Sequence, residues 1–259
     1  MAFNMVSSAQ KVVIEPDSKK ASAGKKAESP RPVRKTPAQK ATRGAQVRAH
    51  KTRDAILRAA TRVFARNGFT EGKIESISKL SGTHDRMIYY YFGSKAQLFV
   101  EVLETTYQKM NEAEAAIPID LDDPVGALTA VVNFVWRYYL DHPEFITLLN
   151  SENLLKGKHI KKSVRASQLS SPAVAILDQV LRSGVEKKLF REDMRARDLY
   201  IEIAALGYFY LSNHYTLSAF LNSNLRAEGE LEHWRQFMID VTLRSVARHP
   251  VCLVPRQDS

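Results

Sequence analysis

The sequence has little cysteine and little glycine, and each shortage excludes a class of protein. Its one cysteine, Cys252, allows neither an internal disulfide framework nor a cysteine-based zinc site. Eleven glycines in 259 residues argue against a sheet-rich fold with many tight turns. No apolar segment before a cleavage site indicates a secretory signal. We therefore expect a protein of a reducing, cytoplasmic compartment.

Motifs of the common enzyme classes are also missing. The sequence contains no Gly-x-Ser-x-Gly, no His-Glu-x-x-His, no glycine-rich phosphate loop and no dinucleotide fingerprint. The seven histidines are scattered, and no pair has i, i+4 spacing beside a carboxylate. We expect neither an enzyme nor a protein with a metal or another cofactor.

Positive charge is concentrated at the N-terminus. The chain carries a net charge of +10, and its first 50 residues hold eleven Lys and Arg against three Asp and Glu. After Val12-Val13-Ile14 this segment has no apolar periodicity, so it cannot bury enough surface to offset its ordering entropy. We expect residues 1–47 to be disordered. They are a basic arm that follows DNA phosphates, a solubilising extension, or the product of a start codon placed too far upstream.

The pattern in the rest of the chain predicts helices. Ile56, Leu57, Ala60, Val63 and Phe64 form one face of a helix over 52–67, which Asn67-Gly68 ends. Two short helices follow, separated by a glycine turn. The first is predicted over about Lys73–Ser81, with Ile74, Ile77 and Leu80 facing inward. The second is predicted from about Thr83 or His84 to Tyr90. This spacing is typical of a helix-turn-helix, although an ordinary three-helix bundle has the same pattern.

The segment from Thr52 to Phe99 resembles the DNA-binding domain of the tetracycline-repressor (TetR) family. The matching features are Ile56, Ala59-Ala60, Phe64, Asn67-Gly68-Phe69, Ile74, Ile77, Gly82, Ile88-Tyr89, Tyr91-Phe92, Ser94-Lys95 and Leu98-Phe99. The resemblance implies an all-α protein: a helix-turn-helix domain at 48–94 and a helical ligand-binding and dimerisation domain at 95–259. It also implies a location on the nucleoid.

This sequence departs from the family pattern where bases are read. Gly72 stands where members often have a threonine cap, the turn is Gly82-Thr83-His84, and Asp85-Arg86 begin the next helix. We therefore expect an operator that is unusual for the family.

The donor and acceptor pattern of the DNA major groove indicates roles for the residues at the start of the second short helix. Arg86 can fork onto guanine O6 and N7, and Met87 can touch a thymine methyl. Asp85 either accepts from a cytosine amino group or caps the helix, and we favour capping. His84 either contacts DNA or serves as a poor N-cap, and Thr83 joins the predicted DNA contacts.

Phosphate contacts are predicted on both sides of the reading helix. The resemblance implies that Tyr89, Tyr90 or both bind phosphate oxygens, while Tyr91 and Phe92 pack inward. Lys95 begins the fourth helix, where a cation and free N–H groups converge, and Lys73 holds the equivalent place on the second helix.

Six further helices are predicted after Ser94, and their pattern favours a helical core. The predicted ranges are Lys95 to about Ala116, about Pro124–Asp141, about Pro143–Leu155, Pro172 to about Lys188, Arg195–Leu221 and about Glu228–Arg248. Thr129, Asn133, Arg137 and Asp141 form one polar stripe on the second of these. Leu199–Leu221 is long enough to span a membrane, but Glu202, Asn213 and His214 argue against that, so no membrane partner is expected.

The resemblance places a homodimer interface on the last two helices. Its candidate aromatic anchors, each of which suits a monomer core equally well, are Tyr200, Tyr208, Phe209, Tyr210, Tyr215, Trp234 and Phe237.

The resemblance also implies a small-molecule effector inside the second domain. The candidate lining, each member of which is more often plain core, is Tyr107, Met110, Trp136, Tyr139, Leu148, Glu152, Asn153, Gln179 and His214. The segment at 141–160 resembles regulators that sense metabolites of nitrogen-heterocycle or aromatic catabolism. Together these features predict a ligand-responsive regulator on a palindromic operator. A ligand-independent architectural DNA-binding protein is the alternative.

Overall fold

The computed structural model describes residues 37–165 and 171–248, which form nine α-helices and one 3-10 turn at Ile160–Lys162. The helices are α1 Pro37–Glu71, α2 Ile74–Ser81, α3 Asp85–Phe92, α4 Lys95–Ala115, α5 Pro124–Asp141, α6 Pro143–Leu154, α7 Pro172–Glu186, α8 Ala196–Leu221 and α9 Glu228–Val246. The predicted all-α fold is confirmed. No helix in these two ranges is long and apolar enough to cross a membrane.

Local capping explains why several helices start where the sequence places them. Asp123 accepts a hydrogen bond from the Gly126 N–H at 3.0 Å, and Pro124 occupies the first turn of α5. Ser94 accepts from the Gln97 N–H at 3.1 Å and begins α4 in the same way. These signals act within one turn of the chain, so they can be recognised without tertiary information.

Helix α1 begins earlier than the sequence indicated. It starts at Pro37, so residues 37–47, which were expected to be disordered, continue the helix. Proline suits a first helical turn, and five of the next six residues are Ala, Gln, Lys or Arg, which are good helix formers. The backbone leaves helical geometry at Gly68, with φ 70°, at the position expected. The rest of the predicted basic arm and Cys252 lie outside the described residues.

The buried side chains form two hydrophobic clusters. The first lies among the four helices α1, α2, α3 and α4, and it includes Ile56, Phe64, Ile77, Ile88 and Phe99. Leu148 of α6 also belongs to this cluster, whereas the sequence placed it in the effector site. A leucine on an apolar helix face signals burial, but the spacing does not show which core receives it.

The second cluster forms the interior of the C-terminal domain, from α4 to α9. Trp136, Leu177, Ile203 and Met238 are among its most buried members. Gly207 of α8 is buried beside this cluster, and an added Cβ would lie 3.2 Å from Cδ2 of Tyr139. The missing side chain at Gly207 therefore allows α8 to approach Tyr139 inside the protomer.

Leu80 corrects the sequence-based assignment of the α2 face. It was expected to point inward with Ile74 and Ile77, but its exposed fraction is 50%. The spacing from Ile77 to Leu80 fits the buried face of a helix. However, Leu80 lies in the last turn of α2, beside the α1 residues Arg62 and Arg66, where no element of residues 37–165 or 171–248 covers it.

Candidate nucleic-acid interface and effector site

The turn between α2 and α3 depends on glycine. Gly82 adopts a left-handed conformation, with φ 67° and ψ 28°, which strains any residue with a side chain. The Thr83 N–H donates to the Ser78 carbonyl at 3.0 Å and closes the turn. Ile88 and Phe92 are buried and hold α3 against the first core. The opposite face of α3 is thereby presented to solvent.

The exposed face of α3 gathers six of the predicted DNA-contacting residues. Arg86 is exposed, and the exposed fractions of Tyr89 and Tyr90 are 49% and 78%. Thr83 and Met87 are half-buried at the edges of this face. His84 is exposed, and although it is the N-cap residue of α3, its side chain makes no capping hydrogen bond. We call Thr83, His84, Arg86, Met87, Tyr89 and Tyr90 the reading face.

Asp85 occupies the first turn of α3, and its place agrees with a favourable interaction with the helix dipole. The choice between this role and a contact with cytosine stays a prediction.

The two lysines beside the reading face differ in their contacts. Lys73 is exposed and precedes α2 as its N-cap residue. The Lys95 ammonium donates to the Thr70 carbonyl at 3.0 Å and lies 4.9 Å from the centre of the Phe69 ring. Lys95 therefore ties the start of α4 to the corner between α1 and α2, and its predicted phosphate contact would compete with these interactions.

Gly72 is not the cap of α2, and its lack of a side chain has another cause. It is buried, and an added Cβ would lie 2.6 Å from Cδ1 of Phe64 and 2.8 Å from the Gly68 carbonyl oxygen. The close approach of the α1–α2 corner to Phe64 therefore requires glycine here.

Four tyrosines lie close together inside the C-terminal domain. They are Tyr107 of α4, Tyr139 of α5, and Tyr200 and Tyr208 of α8. Burial raises the pKa of Tyr107, Tyr139 and Tyr200, and the other members of this tyrosine cluster reinforce the shift of Tyr139. The hydroxyls of Tyr107, Tyr139 and Tyr200 therefore stay neutral at physiological pH and serve as hydrogen-bonding groups in an aromatic interior.

A buried carboxyl group lies beside the tyrosine cluster. Glu114 has no exposed surface, and its Oε2 accepts from Ser171 Oγ at 2.6 Å and from the Ala173 N–H at 3.4 Å. Among the described residues, its other oxygen, Oε1, has no hydrogen-bond partner. Burial raises the pKa of Glu114, and these hydrogen bonds oppose the shift only in part.

The surface above the cluster contains a groove of about 230 Å³ between α5, α6 and α8. Tyr139 and His214, both predicted effector contacts, line it together with Asn150 and Arg226. Asn150 also accepts a hydrogen bond from the Tyr208 hydroxyl. The groove thus leads from solvent toward the tyrosine cluster.

The structure disperses the other predicted effector contacts. Of these, Tyr107 joins the tyrosine cluster, whereas Met110 belongs to the second core and Trp136 is buried there against Tyr210. Asn153 and Gln179 do not enter the buried interior, because both are exposed. Glu152 is buried, but its carboxylate binds the His159 side chain and two backbone N–H groups.

Sequence reasoning missed Glu114 and Asn150, and it left Tyr200 and Tyr208 open between a dimer interface and the monomer core. One signal was available, because Glu114 follows Leu103, Tyr107 and Met110 on one helix face. This spacing predicts that the Glu114 carboxyl group is buried. Nothing in the spacing of α6 or α8 shows that their polar groups meet.

Comparison with known proteins agrees with both halves of this architecture. The model of bacterial regulatory proteins of the tetR family matches residues 56–102, and the tetracyclin repressor-like C-terminal domain matches residues 124–242. The HTH-type transcriptional repressor NicS of Pseudomonas putida is 48% identical over 200 residues, which are 77% of this chain and 94% of NicS. The chain belongs to the TetR family.

Two further relatives extend this comparison. The HTH-type transcriptional repressor SCO4008 of Streptomyces coelicolor is 28% identical over 60% of this TetR-family chain and 76% of its own length. The crystal structure of SCO4942 from the same organism covers 76% of this chain and 99% of its own, at 19% identity and a TM-score of 0.57. That likeness shows the shared fold. The protein is a transcriptional regulator with a helix-turn-helix DNA-binding domain.

The last two helices of this TetR-family protein expose an apolar stripe. Ile201, Phe209 and Phe220 of α8 are 56%, 56% and 83% exposed, and they lie on one side of the helix with Ala205 and Thr216. Phe237 of α9 adds a 41% exposed ring. We call these six residues the α8–α9 stripe.

Several aromatic residues proposed as interface anchors pack inside the protomer instead. Tyr210 is buried and stacks on Trp234 at 4.6 Å, and its hydroxyl donates to the Leu225 carbonyl. Tyr200 and Tyr208 belong to the tyrosine cluster. Only Phe209, Tyr215 and Phe237 of the predicted anchors are exposed within the described residues. A helix whose two sides are both apolar does not reveal from sequence which side faces the monomer core.

We predict that Glu114→Gln changes the pH dependence of stability. A carboxyl group with a raised pKa in the folded state stabilises the fold below its unfolded pKa, and this contribution is lost as the pH rises through the folded value. Glutamine stays neutral and retains an oxygen for Ser171. In thermal unfolding between pH 4 and pH 9, the melting temperature of the variant should therefore rise relative to that of the wild type as the pH increases. A constant difference would contradict the assignment.

Proposed function

We propose that this protein is a transcriptional repressor that binds a palindromic operator as a homodimer and leaves it when a small molecule binds the C-terminal domain. The reading face on α3 is the observation that carries the proposal. It presents a guanidinium, two phenol hydroxyls, an imidazole and a thioether on one exposed helix. NicS and SCO4008 are both named as transcriptional repressors, which supports repression rather than activation.

Each group on the reading face has a partner in DNA. Arg86 would bind guanine O6 and N7, and Met87 would contact a thymine methyl in the major groove. Tyr89 and Tyr90 would donate hydrogen bonds to phosphate oxygens and set the register of the helix. Lys73 would bind a phosphate without reading sequence. We assign residues 48–94 to DNA binding and residues 95–259 to effector binding and dimerisation.

The proposed dimer buries the α8–α9 stripe. Large apolar side chains on one exposed helix face are costly in water, and a two-fold axis would place this face against its own copy. The two reading faces would then enter successive major grooves about 34–36 Å apart. A palindromic operator follows from this symmetry.

The proposed effector site is the tyrosine cluster with Glu114, entered by the groove at Asn150 and His214. Aromatic walls favour a planar ring, while the hydroxyls and the Glu114 carboxyl group can bind its polar substituents. This chemistry agrees with the expected class of aromatic or nitrogen-heterocyclic metabolites.

Footprinting tests the proposal on the DNA that flanks the protein's own gene. We expect two protected half-sites related by two-fold symmetry, and we expect protection to be lost with one member of a panel of aromatic and nitrogen-heterocyclic compounds. Uniform protection that no compound removes would favour the architectural alternative.

We predict that the basic N-terminal segment contributes sequence-independent attraction. Deleting residues 1–36 removes eight Lys and Arg and three Asp and Glu but leaves α1 intact. For every phosphate that the deletion leaves unneutralised, the dependence of log K on log salt should flatten by roughly 0.9. Operator preference and thermal stability should barely change. A salt titration on random duplex measures the slope, and an unchanged slope would show that the segment is only a solubilising extension.

A further inference from the structure

The end of α6 and the loop after it are closed by one buried carboxylate. Glu152 Oε1 accepts from the backbone N–H groups of His159 at 2.6 Å and Ile160 at 2.9 Å, and Oε2 lies 2.9 Å from His159 Nδ1. Both residues are buried, with exposed fractions of 6% for Glu152 and 2% for His159. Glu152 therefore fixes both the position and the ring orientation of His159.

The His159 ring lies against the DNA-binding unit. Its centre is 4.2 Å from that of Phe69, at the corner between α1 and α2, and 5.1 Å from that of Phe99 on α4. One residue before Glu152, Ser151 Oγ accepts a hydrogen bond from the Phe69 N–H at 3.1 Å. Two adjacent residues of α6 thus hold the same corner, one directly and one through His159.

A second attachment holds α1 nearer its start, where Arg53 pairs with Glu101 of α4. The corner at Phe69 and this ion pair lie at different points along α1. Together they restrain the DNA-binding unit from rotating about its covalent link to α4. In a dimer, such a rotation would change the distance between the two reading faces.

We propose that His159, held by Glu152, is a positioning residue that sets the spacing of the two reading faces. This inference rests on the proposed dimer and operator. The same helix also contacts the proposed effector site, because Phe145 packs on Tyr139 and Asn150 binds Tyr208. A displacement of α6 by an effector would therefore move Ser151 and Glu152, and with them the corner that they hold.

The experiment measures spacing discrimination. A preferred duplex is first selected from a random pool with the full-length protein, and a second duplex carries one extra base pair at its centre. The ratio of the two affinities is then compared between the wild type and His159→Asn, which keeps a donor for Glu152 but loses the ring on Phe69. We expect this ratio to fall about tenfold in the variant, within the usual range of coupling between sites. Affinity for random duplex should stay unchanged.

Two further variants separate positioning from stability. Ser151→Ala removes only the hydrogen bond to Phe69 and should lower the ratio in the same direction, so it decides the matter if His159→Asn does not fold. Leu177→Ala opens a cavity in the second core and should lower the melting temperature while preserving the ratio.

Two outcomes would overturn the inference, and they are distinguishable. Unchanged ratios in the folded His159 and Ser151 variants would show that these residues are only part of the core. A pool that yields no preferred duplex would overturn the operator proposal itself.

Discussion

Replacing Phe209 with glutamate is expected to convert the protein into a monomer of 29.3 kDa and to abolish operator binding at physiological salt. Phe209 lies in the middle of α8, is 56% exposed and has Ala205 one turn before it on the same stripe. In a two-fold interface each substitution acts twice, so two carboxylates would be buried near each other without cationic partners.

The loss of the dimer removes the advantage of binding two half-sites at once. Linked binding usually exceeds single-site binding by about 10²–10⁴, so operator affinity should fall by about 100-fold or more. Sedimentation equilibrium at micromolar concentration reports the mass, and gel-shift titration reports the affinity.

Val164→Glu is the matched control for this experiment. Val164 is 88% exposed and lies outside α8 and α9, so its replacement adds the same charge at an apolar surface position. We expect this variant to sediment and bind DNA as the wild type does. A Phe209→Glu protein that still sediments at twice the monomer mass would place the interface elsewhere.

Arg86→Ala is expected to produce the second large effect, a selective loss of operator binding. A forked guanidinium–guanine contact contributes about 1–3 kcal/mol, and because both protomers carry the change, operator binding should weaken by about 2–6 kcal/mol in total. Arg86 is exposed on α3, away from the buried Ile88 and Phe92, so folding should be unaffected.

The pattern across DNA sequences distinguishes base reading from simple attraction. Arg86→Ala should relax specificity at one position of each half-site, as measured by binding to operators substituted at single positions. Lys73→Ala removes a cation from the same domain and should weaken operator and random duplex by the same factor. If Arg86→Ala also lowers both affinities equally, Arg86 contacts phosphate rather than a base.

The sequence predicted the helical architecture because its signals are local. The Asp123 cap, Pro124 and the apolar spacing that follows define α5 within one or two turns. The glycine at 82 and the burial of Ile88 and Phe92 likewise come from short-range patterns. The reading face could be predicted for the same reason: it is the side of one short helix left after its apolar residues are buried.

Only the tertiary structure decided which groups meet. Periodicity shows that Leu148 and Glu152 face inward on α6, but it cannot show that they join the core beneath the DNA-binding unit rather than the effector site. Glu114, Tyr139 and Tyr200 come from three different helices. The Lys95 ammonium donates a hydrogen bond to the Thr70 carbonyl, 25 residues earlier in the chain. An apolar pattern indicates that a helix face is covered; the packing of the other helices determines what covers it.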